Sequence, residues 1–151
     1  MIFSAQQIFS DDQAITATAI STNVIDLGVA GTPYGAAAAL NQDVGKGNPI
    51  PLLIQVTADL SNAADDGTVT FTVECDSTAN LATSPTVLYS SGVIAEADLV
   101  AGYQIPVQVL PNECTARYLG IRYTVGGTGN LNAGTVTAGI VMGVQTNVTG
   151  A

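Results

Sequence analysis

The stretch Arg117–Gln145, RYLGIRYTVGGTGNLNAGTVTAGIVMGVQ, reads as two long alternating strands joined by a Gly/Asn loop. In the first, Leu119, Ile121, Tyr123 and Val125 share one face while Tyr118, Gly120, Arg122 and Thr124 share the other, as the two-residue period of a strand requires. In the second, Val136, Ala138, Ile140, Met142 and Val144 alternate with Thr135, Thr137, Gly139, Val141, Gly143 and Gln145. Strands of this kind bury one face and offer the other to water or to a partner. The functional question becomes what the outer faces and the loops touch.

Outward from this pair, strand signals recur and helix signals do not. Val69, Phe71, Val73 and Cys75 alternate with Thr68, Thr70, Thr72 and Glu74, and Asp65-Asp66-Gly67 before them is the clearest hairpin signal in the chain. Ile50, Leu52, Ile54 and Val56 alternate with Pro51, Leu53, Gln55 and Thr57. Ile105, Val107 and Val109 alternate with Gln104, Pro106 and Gln108. Pro51 and Pro106 have no amide to donate, which places both at an edge or outside a ladder. Ile15–Ala19, Val24–Leu27 and Thr86–Val93 complete about eight strands, with one helical turn expected within Ile94–Gly102. The spacing predicts an all-β chain with little helix, an antiparallel β-sandwich or jelly roll. Residues 1–13 read as an N-terminal arm and 28–48 as one long loop on a single domain spanning 1–151.

Composition excludes several functions. At 151 residues the chain is long enough for one sizeable core. Lys46, Arg117 and Arg122 are its only fixed cations against 12 carboxylates, a formal charge of −9. Three cations cannot build the basic patch that nucleic acid or an anionic membrane surface requires. Only 10% of residues are charged, well below the usual quarter, so the surface is rich in small neutral side chains suited to packing against protein. Mean hydropathy is +0.38, yet no run approaches the roughly 18 apolar residues of a membrane span. The opening MIFSAQQIFSDDQ has no basic n-region or apolar core, so a mature cytosolic product is expected rather than a secreted one.

Catalytic constellations fare no better. The chain contains no His, which removes Ser-His-Asp and Cys-His arrangements and most zinc sites. Gly45-Lys46-Gly47 lacks the following Ser/Thr and the spaced upstream glycine of a P-loop. The carboxylate pairs Asp11-Asp12 and Asp65-Asp66 read as bend and turn chemistry, not as a glycosidase dyad or a calcium loop. Cys75 falls in phase with Val69, Phe71 and Val73 and reads as a reduced, buried thiol; two cysteines make no disulfide framework. No cofactor, metal or small-molecule substrate is expected, and no enzymatic activity.

Five ordered motifs carry a resemblance: GKGNPIPLLIQV (Gly45–Val56), the Thr-alternating strand ending in an acidic loop, QIPVQVLP (Gln104–Pro111), RYLGIRYTV (Arg117–Val125) and AGTVTAGIVMGVQ (Ala133–Gln145). Together with the MIFSAQQIFSDDQAIT opening, this order resembles the capsid cement, or decoration, proteins of short-tailed bacteriophages of the Bordetella-phage type. The resemblance implies a jelly-roll virion protein made in the host bacterial cytoplasm. It would bind the outer surface of an icosahedral head as a dimer or trimer, bridging neighbouring copies of the phage major capsid protein. Candidate contacts to the capsid or a sister subunit are Ile2, Phe3, Ile8 and Phe9 of the arm, which are costly to expose and have docking on the chain's own core as the equal alternative, Lys46 and Asn48 of the loop, and Arg122. The competing readings are a head-tail connector or tail-fibre accessory protein, and a β-sandwich module for host glycans.

Overall fold

The computed structural model describes residues 2–28, 44 and 47–144. Most of the 28–48 loop, Lys46 included, lies outside them. The described chain forms eight strands: β1 (Phe3–Ala14), β2 (Ala19–Ile20), β3 (Ile25–Asp26), β4 (Leu52–Ser61), β5 (Thr68–Asp76), β6 (Thr86–Ala95), β7 (Tyr118–Gly126) and β8 (Ala133–Val141), with one 3-10 turn at Glu96–Asp98. Sheet I has the order β1-β8-β4; sheet II has the order β2-β7-β5-β6, with β3 also paired to β7. All pairings are antiparallel.

Residues 102–110 run along the free edge of β4. The amides of Leu52, Val56 and Ile105 bond to the carbonyls of Gln108, Tyr103 and Ile54, and bridges form at Pro51–Val109 and Gln55–Gln104. Pro106 interrupts the ladder, so this predicted strand survives only as an irregular edge segment. Counted as the fourth member of sheet I, it completes a jelly roll: successive elements cross from sheet to sheet, except that β2–β3 and β5–β6 stay within sheet II.

That topology corrects two local readings. Asp65-Asp66-Gly67 does turn the chain, but it carries β4 of sheet I across to β5 of sheet II and closes no hairpin. The Gly/Asn loop after β7 does the same in reverse, and β7 and β8 face each other across the core without pairing. The N-terminal arm is a strand of the sandwich: β1 pairs with β8 from Phe3 to Ala14 through three register shifts. Ile15, read as the start of a strand, follows the end of β1 and is buried, while Thr16–Thr18 form a bend.

The inward faces are those the alternation assigns. Val69, Phe71, Val73 and Cys75 of β5 meet Leu119, Ile121 and Tyr123 of β7, and Val136, Ala138 and Ile140 of β8 close the core from sheet I with Leu52, Ile54 and Val56. Phe71 and Tyr123 pack edge to face, with centroids 5.7 Å apart and planes at 82°. Cys75 and Cys114 are both free. Burial and the neighbouring Cys75 thiol push the Cys114 thiol up to about 11, which keeps it protonated and unreactive. Gly134 opens β8 at φ +125°, where an added Cβ would lie 2.7 Å from the Leu60 backbone. Only glycine permits that close crossing of β8 and β4.

Candidate interaction surface

Part of the outer face of sheet II, around Gly120 and Arg122, is covered by the chain itself. Residues 77–85 fold back so that Leu81, fully buried, sits over Gly120 beside Val24 and Ser21. Asp76 anchors the loop: its carboxylate accepts from the amides of Ser77, Thr83 and Ser84 and from the hydroxyls of Ser77 and Thr78. Burial pushes the Asp76 carboxyl up, but these donors hold it below its ordinary value. Arg122 reaches out from β7 to Glu74 at 2.9 Å and donates to the Leu81 carbonyl, while Thr72 donates to the same carboxylate. Glu74 is only 3% exposed, so Arg122 serves as its counter-ion and as a clamp on the loop. It is not free to meet another protein as the sequence reading expected.

Arg117 is likewise engaged, in a two-pronged pair with Asp26 at 2.8 Å, and stacks over Tyr118 with its carbon centre 5.0 Å from the ring. The guanidinium holds the Asp26 carboxyl below its usual range. One carboxylate of each Asp pair is also spent locally. Asp66 accepts from Asn62 at 2.8 Å and from the amide and hydroxyl of Thr128; Asp12 accepts from Thr57 at 2.6 Å. These are ties between loops and strands, with the carboxylates on the surface and no cleft between them.

One end of sheet I differs. There the amide of Met142 bonds to the Ile2 carbonyl, that of Val141 to the Pro51 carbonyl, and Pro51 bridges to Val109. Two neighbouring rows cross this end of the sheet: one carries Ile2, 65% exposed, and Met142, 79% exposed, and the next, through Phe3, Val141 and Pro51, ends on Val109, 45% exposed. Phe3 itself lies half-buried over Gly139, its Cδ1 3.0 Å from where a Cβ would sit, and Leu53, the register partner of Gly139, is buried. Next to Val109, a shallow groove of about 90 Å³ is lined by Gly47, Asn48, Pro49, Ile50 and Asn112, among others. Ligand pockets usually hold about 300 Å³ or more. The groove is too small for a cofactor and suits the tip of a protein side chain.

The structure thus brings together Ile2, Phe3 and Asn48 of the sequence candidates. It separates Phe9 and Arg122 from them. Phe9 is fully buried and belongs to the core of its own chain, which corrects its assignment as a contact. Ile8, half-buried on β1, stays with this group, since it and Phe3 both lie against Gly139, and Lys46 lies outside the described residues. Sequence reasoning missed Met142 and Val109, both assigned to inward faces. Met142 falls just past the end of β8, where alternation no longer dictates a side. Val109 stands between buried Val107 and buried Leu110, where the alternation of this edge segment breaks.

No curated protein matches this chain. A family model described as Bbp16 matches residues 9–140, from within β1 to within β8 and so across both sheets of the sandwich. The name points to a protein of a Bordetella phage. With 132 consecutive positions matched out of 151, the chain belongs to the Bbp16 family.

Proposed function

We propose that this chain is a structural protein of a phage virion, a capsid cement that binds the outer surface of the icosahedral head and bridges neighbouring copies of the major capsid protein. It acts as a small homo-oligomer with no cofactor, small-molecule substrate, nucleic acid or membrane as partner. The observation that carries this reading is the exposed apolar end of sheet I, formed by Ile2, Met142 and Val109 in two neighbouring rows. These large apolar side chains are held in the open by a rigid jelly roll whose polar groups are mostly satisfied within the chain. Such side chains are costly to leave in water and gain when a partner covers them.

Mechanically, a cement adds contact area that the shell must lose before it opens. About 800 Å² per partner suffices for specific binding, and an oligomer gripping several sites turns modest affinities into avidity. The reading is structural rather than enzymatic because the chain has no His and spends one carboxylate of each Asp pair on a tie within its own fold, Asp12 to Thr57 and Asp66 to Asn62.

The test is the copy number of the polypeptide in purified virions, measured by quantitative mass spectrometry against the major capsid protein. A fixed ratio comparable to that protein supports the cement reading. A handful of copies per particle moves the assignment to a connector or tail-fibre accessory protein, and absence from the particle to a free binding module such as one for host glycans.

A further inference from the structure

β4 runs from the exposed apolar end of the sandwich to an opposite end where three connecting segments converge: residues 62–67 between β4 and β5, 96–101 after β6, and 127–132 between β7 and β8. Hydrogen bonds knit them together. The Glu96 amide donates to the Gly67 carbonyl at 2.8 Å, the Leu60 amide to the Leu99 carbonyl at 3.1 Å, and the Thr128 amide to Asp66 at 3.1 Å. This end carries Asp59, Asp65, Asp66, Glu96 and Asp98. Neither described cation serves them, since Arg117 pairs with Asp26 and Arg122 with Glu74.

Glu96 is set apart from the four aspartates. They stand exposed, whereas Glu96 is only 6% exposed and its Oε2 is buried with no hydrogen-bond donor among the described residues. That oxygen lies against Gly67, where an added Cβ would collide with it, so it is aimed at the Asp65-Asp66-Gly67 turn. Taking a carboxylate oxygen out of water without a donor is costly, and like charges around it add to the cost. Glu74, also buried, has Arg122 to offset this; Glu96 has no such partner among the described residues. Asp66 is already satisfied by Asn62 and Thr128, so it adds charge rather than a free donor.

We propose that this end of the sandwich binds a structural calcium ion, with Glu96 Oε2 as its buried ligand and Asp65, Asp66 and Asp98 supplying the field that draws it in. Charge and donor type select the ligand. Every group on offer is an oxygen, and a hard divalent cation is what carboxylates, carbonyls and waters hold in common. No three carboxylates of the described residues are close enough together to cage an ion by themselves. Backbone carbonyls and water therefore complete the shell. Calcium accepts such an irregular shell, whereas magnesium demands a near-ideal octahedron. The affinity falls among the weak calcium sites, at about 0.1–1 mM. The Asp65-Asp66-Gly67 turn alone is turn chemistry; Glu96, brought in from the end of β6, makes it half of a site. The bound ion ties the end of β6 to the β4–β5 crossing, and the free chain binds it whether or not that chain is a cement.

Thermal unfolding of the full chain, free of any shell, tests it. Starting from chelator, calcium chloride at about 10 mM raises the midpoint by roughly 5 °C over sodium chloride of equal ionic strength, with half the rise at about 0.1–1 mM. Glu96→Gln abolishes the calcium-specific rise. Glu113→Gln, which removes the same charge from an exposed position outside the three segments, keeps it. The double variant Asp65→Asn/Asp98→Asn changes exposed residues only and needs several-fold more calcium for the same rise, so it decides the matter should Glu96→Gln fail to fold. A parent whose midpoint responds to calcium no more than to sodium overturns the proposal. So does a full rise in Glu96→Gln, or a parental calcium response in the double variant. Binding of the parent to purified shells, measured separately in chelator and in calcium, tells loss of the ion apart from loss of the cement reading.

Discussion

The hydroxyl of Ser10 on β1 lies 2.7 Å from the phenol oxygen of Tyr123 on β7, a hydrogen bond that crosses the core from sheet I to sheet II. Ser10 donates its single proton to Oε1 of Gln13 at 2.6 Å, so Tyr123 must be the donor to Ser10. Gln13 passes the connection on to the Ile20 carbonyl and the Thr22 amide. Burial holds the Tyr123 phenol far above its ordinary value, consistent with its role as a donor.

The two partners of that bond are not equivalent under mutation. Ser10→Ala leaves a buried phenol with no acceptor and costs about 2 kcal/mol; Tyr123→Phe leaves Ser10 its bond to Gln13 and costs about 1 kcal/mol. In urea titrations the double variant then loses less than the sum of the singles. Additive losses would show that the bond does not couple the sheets.

Arg122→Met strips Glu74 of its counter-ion at a nearly buried position and frees the Leu81 carbonyl, at a cost of about 3–5 kcal/mol. Limited proteolysis is expected to cut within residues 77–85 earlier than in the parent. Adding Glu74→Leu removes the stranded carboxylate and recovers most of the stability. Equal sensitivity in Arg122→Met and the double variant would mean that the charge pair is not what holds the loop.

Four carboxyls sit below the ordinary value of 3.8: Asp12 through the Thr57 and Thr135 hydroxyls, Asp26 through Arg117, Asp66 through Thr128 and Asn62, and Asp76, where burial is outweighed by the loop amides. A depressed folded pKa contributes stability that is complete above the unfolded value and disappears as pH falls through the folded one. The urea midpoint should therefore lose the contribution of these four groups below about pH 4. Asp76→Asn shallows that acid slope; an unchanged slope would show that Asp76 binds its proton alike in folded and unfolded chains.

Ile2→Ser and Met142→Ser test the apolar row. Both side chains are exposed, so each change should move stability by less than about 0.5 kcal/mol. Retention of the double variant on purified shells should nevertheless fall well below that of the parent in co-sedimentation. Point changes are needed because removing residues 1–10 also removes Phe9 from the core and Ser10 from its bond to Tyr123. Parental binding by the double variant would move the contact elsewhere on the surface.

The faces of β5, β7 and β8 were legible in the sequence because side-chain alternation is local: neighbouring residues point apart whatever the strand pairs with. The jelly-roll class was legible for a similar reason, from repeated short alternating runs with turn residues between them. Tertiary structure alone decided which strands pair. Asp65-Asp66-Gly67 has the chemistry of a turn in a hairpin or a crossover alike, and only packing across the core sends β5 into the opposite sheet. The same holds for the site. Phe9 and Ile2 look alike as apolar residues near a terminus, and the pairing of β1 with β8 sends one into the core and leaves the other at the rim. Arg122 is on the outer face, as alternation requires, but a loop some 40 residues earlier in the chain closes over it. Contacts between distant residues carry no local period, so they appear only once the chain has folded.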